Sequence, residues 1–437
     1  MLIQMTYKKI LIILALVFCL PIKSFANTED DILKEDIYKA IEESVDGRLI
    51  YQAHIKTLYG LSDIDIYMAN SYQDFLPAAS TIKTMIGLSL LEKAQNGQIE
   101  YTDAIKDDLD LSLRISDNDA TNRLIEELGG FGEVNSYIES LTSSDRTRLN
   151  RFMLGSGDEN TANAKDLSKA LFEIFLSDAE IGEDMRRSLE NSSTKRAKLL
   201  KDINPSYESM NKTGELNYIE NDMALVQTGS NAFIISLLTQ NDNYMDHKSQ
   251  IKLINKLGSD VTKAYEKYQE VSREKEKRIQ ENLIKNLDTD EKRLAYGIYK
   301  NQISINAAKI LLDSDLESID EIRSDLENTV ARGQMILDEA KRSLAIKTDE
   351  DISTGDDMAI SLIRLVYTNK ERNSDINRDL ALAFYKNKSS AKAAEIILTK
   401  APRASLPIRK SLLASIKKSE ENFVKMDKYF QRINAEN

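Results

Sequence analysis

The sequence predicts a two-part chain: an α/β (α+β) domain in which a sheet is flanked by helices, followed by an all-α C-terminal domain. Three observations carry this. Strand-like segments lie near both ends of the first 259 residues with a helical block between them. Thirteen of the sixteen glycines fall before residue 260. The formal charge also changes there, from −13 up to Ser259 to +1 from Asp260 onward. A chain of 437 residues, at roughly 100 to 200 residues per domain, fits two domains, and the expected boundaries are 1–26, 27–259 and 260–437.

The first segment reads as a leader. Lys8 and Lys9 precede an apolar run from Ile10 to Leu20, then Pro21 and the small-residue site Ser24-Phe25-Ala26. This is the pattern of a secretory signal peptide cleaved after Ala26, since the run is shorter than the roughly 17 to 25 residues that span a bilayer. Lipid attachment at Cys19 is disfavoured by the bulky Phe18 before it. An exported protein, extracellular or attached to the cell envelope, is expected. Its only cysteine would leave with the leader, so disulfides would not hold the fold.

Asp31 to Ser44 reads as an amphipathic helix, and Arg48 to Lys56 and Leu61 to Met68 as two strands joined at Gly60. A helical block from Ser80 to Leu176 follows, interrupted at Gly129-Gly130 and at Gly155 to Gly157. Met223 to Thr228 and Ala232 to Thr239 read as strands, and a helix from Asp246 to Leu257 closes the region. From Asp260 onward only three glycines and two prolines occur. Helices are expected there, separated near Asp288, Asp315, Asp351, Ser374, Ser389 and Pro402. Within them Lys386 to Lys418 carries nine Lys and Arg against the single Glu395. That stretch is either a solvated, internally paired surface or a contact for an anionic envelope polymer or lipid surface.

Composition removes many chemistries. The only imidazoles are His54, in a strand-like stretch, and His247, at the start of a helix. A thiol nucleophile, a Cys/His zinc site and a Ser-His-Asp triad all lack parts. No metal, no cofactor and no nucleic-acid partner is expected. A serine nucleophile would have to use Lys or a carboxylate as its base.

Three short motifs supply such a site in order: Ser80-Thr81-Ile82-Lys83, Ser116-Asp117-Asn118 and Lys212-Thr213-Gly214. Ser-x-x-Lys alone is weak, because it occurs seven times in this chain. Only at Ser80 does it follow Pro77-Ala78-Ala79, open an apolar helical run and precede the other two motifs. At the first turn of a helix the Ser80 hydroxyl meets the positive end of the helix dipole. Lys83 lies three residues on, on the same face. In an apolar helix its ammonium is desolvated, which lowers its pKa and lets the neutral amine take the Ser80 proton. Ser116 can pass a proton to a leaving nitrogen, Asn118 can hold a substrate amide, and Lys212 and Thr213, on a strand, can meet a substrate carboxylate.

That trio is the signature of class A β-lactamases and penicillin-binding proteins, and residues from about 30 to 259 resemble that family. FLPAASTIK looks like its nucleophile segment, SDNDATNRLIEELGG like its serine-shuttle helix, and KTGELNYIENDMALV like its third motif and following strand. RLNRF and GDENTANAKDL resemble the two ends of its omega loop. The resemblance implies a β-lactamase/transpeptidase-like sheet, an acyl-serine at Ser80, and an oxyanion hole from the backbone N–H groups of Ser80 and Glu215. It also implies an Arg151–Asp158 pair closing the loop.

Two departures stand out. The family's omega loop carries a Glu and an Asn that activate the deacylating water. Here the loop is only Phe152 to Gly157, without a carboxylate, and Met153 falls where that Glu is expected. In addition, no Lys or Arg occurs between Thr213 and His247, and Glu215 adds negative charge on the Thr213 face. The expected function is a serine hydrolase that forms an acyl-enzyme with a β-lactam or peptidoglycan-like small substrate and hydrolyses it slowly. The alternatives are a cell-wall D,D-peptidase or esterase, and a non-catalytic envelope-binding or sensor protein.

Overall fold

The computed structural model describes residues 28–229, 231–242, 245–284, 290–344 and 375–435. The expected leader, and the helix breaks near Asp288, Asp351 and Ser374, lie outside them. Among the described residues no helix is long and apolar enough to cross a membrane. The described residues divide into two compact units: one holds those of 28–58 and 62–272, the other 59–61 and those from 273 onward.

The first unit has the expected mixed architecture. Helix α1 (Thr28–Ser44) leads into β1 (Ile50–Tyr59) and β2 (Asp65–Ala69), and the strands return late as β5 (Glu208–Leu216), β6 (Ile219–Thr228) and β7 (Asn231–Gln240). All five form one sheet in the order β2-β1-β7-β6-β5. Leu76–Pro77 (β3) and Thr161–Ala162 (β4) form a separate short pair. Between β3 and β5 come α2 (Lys83–Gln95), α3 (Asp103–Arg114), α4 (Asn118–Glu127), α5 (Phe131–Thr142), α6 (Ala164–Leu176) and α7 (Glu180–Glu190).

Strand alternation explains how both faces are filled. In β7, Phe233, Ile235 and Leu237 project to one side, where they join Leu33, Ile37 and Ile41 of α1 and Tyr51, Ala53 and Ile55 of β1. The intervening Ile234, Ser236 and Leu238 are equally buried and face the side covered by α6, which packs on β6 and β7. There the Ser168 and Ser236 hydroxyls bond each other at 2.8 Å, so this polar pair costs little when buried.

The closing helix corrects two expectations. It does not end at Leu257: α8 runs from His247 to Ile284. Nor is Gly258 a boundary, because Val261, Ala264, Tyr265 and Tyr268 belong to the core of the first unit. Tyr265 stacks on Phe233 with ring centroids 4.0 Å apart, and its hydroxyl bonds Thr57 Oγ1 at 2.8 Å. Gly258 is a packing position, since a Cβ there would lie 2.0 Å from the Leu199 carbonyl oxygen. Glycine content thus marked a close helix approach, not a linker, and the division falls after Ser272.

The second unit is helical in its described residues: Asp290–Leu312, Arg323–Leu344, Asp375–Lys400, Pro402–Ser405 and Arg409–Ala435, with 3-10 turns at Glu317–Ile322 and Leu406–Ile408. Breaks occur near Asp315 and Pro402 as expected, but the helix from Asp375 continues through Ser389. The Ser389 side chain is buried, and its propensity for ending helices is overridden by packing. Ala307, Leu311, Leu326, Ala393, Leu398 and Leu412 lie in its core. In the basic stretch, Lys392 pairs with Glu395 at 2.9 Å and Arg403 with Glu321 at 3.6 Å, whereas Lys386, Lys400 and Lys410 are exposed.

Candidate active site

The nucleophile segment turns sharply before α2. Ala79 to Ile82 form a 3-10 turn that runs directly into α2 at Lys83, and Ala79 sits at φ +48°. A β-carbon in this left-handed region is costly, and such outliers persist only where the surroundings over-determine them. Here they do. Ala78 N–H donates to the Asn160 carbonyl at 2.8 Å, Thr81 Oγ1 donates to the Ala78 carbonyl at 2.7 Å, and Asn221 Nδ2 donates to the Pro77 and Ala78 carbonyls at 2.8 and 3.2 Å. Ser80 is half-buried on this turn.

Gly214 of the third motif lies against the same turn. A Cβ on it would stand 3.0 Å from the Ala78 carbonyl oxygen, from Ala79 Cβ and from Ser80 N. The expected oxyanion donors, Ser80 N–H and Glu215 N–H, therefore belong to two backbones in close contact.

The second motif is a helix entry. Ser116 adopts φ +63°, and Asp117 caps α4 by accepting from Ala120 N at 2.8 Å. This aims three oxygens of the motif at one point. Lys83 Nζ, fully buried, donates to the Ser116 carbonyl at 2.7 Å, the Asp117 carbonyl at 3.1 Å and Asn118 Oδ1 at 2.9 Å, with Ser116 Oγ at 3.4 Å. Burial lowers the Lys83 pKa to about 8, opposed by the Asp117 charge.

Lys212 approaches the same hydroxyl from β5, its Nζ 2.9 Å from Ser116 Oγ and 3.2 Å from the Thr213 carbonyl. Burial and then the Lys83 charge bring its pKa down to about 7, against the pull of Asp222. Ser116 Oγ thus sits between two desolvated amines whose ordinary charges repel, an arrangement that can hand a proton in either direction.

The sequence reading missed four supporting residues. Thr194, in the loop before β5, bonds Thr213 hydroxyl to hydroxyl at 2.8 Å. Lys198 of that loop is buried and donates to the Gly214 and Asn221 carbonyls at 2.9 and 3.1 Å. Its ammonium also lies 2.5 Å from the fully buried carboxylate of Glu220, which His247 Nδ1 contacts on its other oxygen. Asp222 is directly opposite Thr213 and accepts from Leu199 N and Asn211 Nδ2, each at 3.0 Å. Burial raises its pKa to about 6.

The loop at the far side corrects one pairing. Arg151 does not close it with Asp158, which is exposed. Its Nη2 lies 2.5 Å from Glu159 Oε1 and its Nη1 donates to the Gly155 carbonyl at 2.7 Å. With so few residues between its ends the loop turns back early, and this places Glu159 opposite the guanidinium. Asn160 Oδ1 accepts from the backbone N–H of Asn150 and Arg151 at 2.7 and 3.0 Å. Met153 is buried, with its N–H donating to Asn122 Oδ1 at 2.8 Å.

One group near the site has metal-ligand chemistry: donor atoms of Glu215, Glu220 and His247 all lie within 4.8 Å of one another. The donor set fits a cation poorly, because the Lys198 ammonium already neutralises Glu220.

Residues 104–265 match the model of the β-lactamase enzyme family. Over this part the chain is similar to that family. The match includes the second and third motifs and begins after Ser80 and Lys83, so the nucleophile segment of the β-lactamase-like domain rests on its own motif and geometry. Among solved structures, a β-lactamase from Sphaerobacter thermophilus DSM 20745 is 22% identical, with a TM-score of 0.46, covering 53% of this chain and 97% of that one. An ancestral (GNCA) class A β-lactamase is 18% identical, with a TM-score of 0.45, covering 53% and 99%. A β-lactamase from Xanthomonas campestris pv. campestris str. ATCC 33913 is 15% identical, with a TM-score of 0.46, covering 53% and 97%. No curated protein matches the chain.

Proposed function

We propose that the β-lactamase-like domain is a serine hydrolase that forms an acyl-serine at Ser80 with β-lactam or peptidoglycan-like substrates and releases it slowly. The observation that carries this reading is the Ser116 hydroxyl held between the buried amines of Lys83 and Lys212, in a domain whose third motif touches the Ser80 turn. Ser80 Oγ attacks the carbonyl carbon, its proton passes to neutral Lys83, and the Ser80 and Glu215 N–H groups receive the oxyanion. Ser116 relays that proton from Lys83 to the leaving nitrogen as the C–N bond breaks, its hydroxyl held by Lys212.

Slow release follows from the loop. It offers Met153 in place of a carboxylate, and the nearby Glu159 is held by Arg151. The same feature favours a second reading, a D,D-peptidase or esterase whose own leaving group or acceptor differs from a β-lactam. If acylation stops at one equivalent with no acceptor, the domain acts as a sensor. Export, and an anionic envelope contact through the exposed Lys386, Lys400 and Lys410, accompany either reading.

Intact-mass spectrometry with benzylpenicillin tests it. The expected result is a single adduct that persists for minutes or longer and is absent from Ser80→Ala. Rapid turnover with no adduct refutes slow release, and an adduct on Ser80→Ala refutes the nucleophile. No adduct from the β-lactam together with one from a D-alanyl thioester selects the second reading.

A further inference from the structure

We infer, on the acyl-serine reading above, that Lys198 is a positioning residue: its ammonium fixes the Gly214 carbonyl and thereby aims the Glu215 N–H at the oxyanion. The two groups belong to one peptide unit. A trans peptide is planar and points its C=O and N–H in opposite directions, so whatever holds the Gly214 oxygen sets the direction of the Glu215 N–H. Lys198 Nζ donates to the Gly214 carbonyl at 2.9 Å and to the Asn221 carbonyl at 3.1 Å. Asn221 lies directly opposite Gly214 in the β5–β6 register. The Gly214 oxygen is therefore turned towards β6 and the Glu215 N–H away from it. β5 is the outermost strand of the sheet, and an N–H on that free edge is available to a ligand.

Lys198 is held firmly in this place. Its side chain is 4% exposed, and its ammonium lies 2.5 Å from Oε2 of Glu220, a fully buried carboxylate that His247 Nδ1 contacts on the other oxygen. Two carbonyls and a carboxylate occupy all three of its N–H donors, so it is not free to swing towards a substrate. The loop that carries it is pinned on both sides, by the Thr194–Thr213 hydroxyl bond at 2.8 Å and by Leu199 N–H donating to Asp222 Oδ2 at 3.0 Å. The same cluster reaches the nucleophile turn, because Asn221 Nδ2 donates to the Pro77 and Ala78 carbonyls at 2.8 and 3.2 Å. It thus ties together the backbones of both expected oxyanion donors. A buried ion pair generally adds little stability over apolar packing. Its contribution here is geometric and electrostatic, since a cation on the carbonyl oxygen polarises the peptide and strengthens its N–H as a donor.

The test uses benzylpenicillin labelled with carbon-13 at the β-lactam carbonyl. Isotope-edited infrared spectroscopy of the adduct reads the ester carbonyl, whose stretch falls in frequency as oxyanion-hole bonds strengthen, and intact mass reads the rate of acylation. Lys198→Met/Glu220→Gln removes both charges together, so that neither is left buried alone, and Lys198→Leu/Glu220→Met stands in if the first does not fold. The double variant is expected to acylate about 100-fold more slowly, the scale of a misaimed donor. Its ester band should move up in frequency, with the penicillin concentration at half-maximal rate little changed. Lys198→Arg, which keeps a cation at the Gly214 carbonyl, should recover the parent's band and most of its rate. A lower Tm with rate and band unmoved makes Lys198 a brace only, and a loss confined to half-saturation makes it a contact for the substrate's carboxylate. Either result overturns the inference and leaves the acyl-serine reading standing. No adduct on the parent protein overturns that reading and the inference with it.

Discussion

Gly214→Ala is the most incisive single-atom test of how the third motif and the nucleophile turn depend on each other. In an extended strand at ordinary φ, replacing Gly by Ala would normally stabilise by roughly 0.4–1 kcal/mol through the unfolded chain. Space reverses the sign. The added methyl would meet the Ala78 carbonyl oxygen, Ala79 Cβ and Ser80 N, each at 3.0 Å. Carbon prefers about 3.5–4.0 Å from another carbon, so strand β5 and the nucleophile turn must part by about a few tenths of an ångström. None of the three atoms sits on a flexible side chain, and Ala79 is already held at φ +48°, so the turn cannot yield cheaply. Overpacking of this kind costs about 1–3 kcal/mol, or roughly 2–4 °C of Tm per kcal/mol for a domain of this size. The larger effect falls on chemistry, because Ser80 N–H moves from its proposed place in the oxyanion hole. Loss of one such donor costs about 100- to 1000-fold in rate. Stopped-flow acylation by a chromogenic β-lactam, paired with a thermal melt, measures both. An alanine variant that acylates within threefold of the parent at unchanged Tm would show that the two backbones are not coupled.

Three more expectations follow from the structure. Lys83 and Lys212 have folded pKa values lowered to about 8 and about 7, so between about pH 7 and their ordinary value of 10.5 the unfolded chain binds more protons than the folded one. Stability to urea should therefore rise with pH across that window. The acylation rate should climb between about pH 7 and 9 as Lys83, with its pKa at about 8, becomes neutral, and a flat profile would exclude it as the base. A chain ended at Ser259 loses Val261, Ala264, Tyr265 and Tyr268 from the first core, at about 1.5–3 kcal/mol for each large side chain. It should fail to fold cooperatively, while one ended at Ser272 should keep its circular dichroism and its Ser80 adduct. Equal stability of the two would restore a boundary near Gly258.

The motifs were legible because each is local: a serine on a turn into an apolar helix, a helix entry, and a strand bearing Lys-Thr-Gly. The sheet that joins both ends of the first region could be read from alternation and turn residues. What escaped reading is what depends on register and on irregular backbone. Glu220 and Asp222 become part of the site only through pairing of β5 with β6, which sets Thr213 against Asp222 and Glu215 against Glu220. The two-residue turn at Asn217-Tyr218 carried that register in the sequence. Thr194 and Lys198 lie in a loop with no periodicity to announce them. Gly258 misled because a glycine at a linker and a glycine under a close backbone contact are the same letter. Arg151 met Glu159 instead of Asp158 because loop length, not residue order, sets which carboxylate comes opposite.

The short loop is fastened at its base and, through Met153 and Gly155, at two points of its span. Asn160 holds the amides of both Asn150 and Arg151 with one oxygen, and its own carbonyl anchors Ala78 ahead of Ser80. Beyond that knot, Leu154 is 77% exposed and residues 155–157 are exposed too. Doubling the length of a flexible loop costs only about 0.6 kcal/mol in closure entropy. Insertions between Phe152 and Gly157 can therefore bring a new side chain to the site without disturbing the anchor of Ser80. Deacylation, the step proposed to be slow, is in evolutionary terms the step within easiest reach.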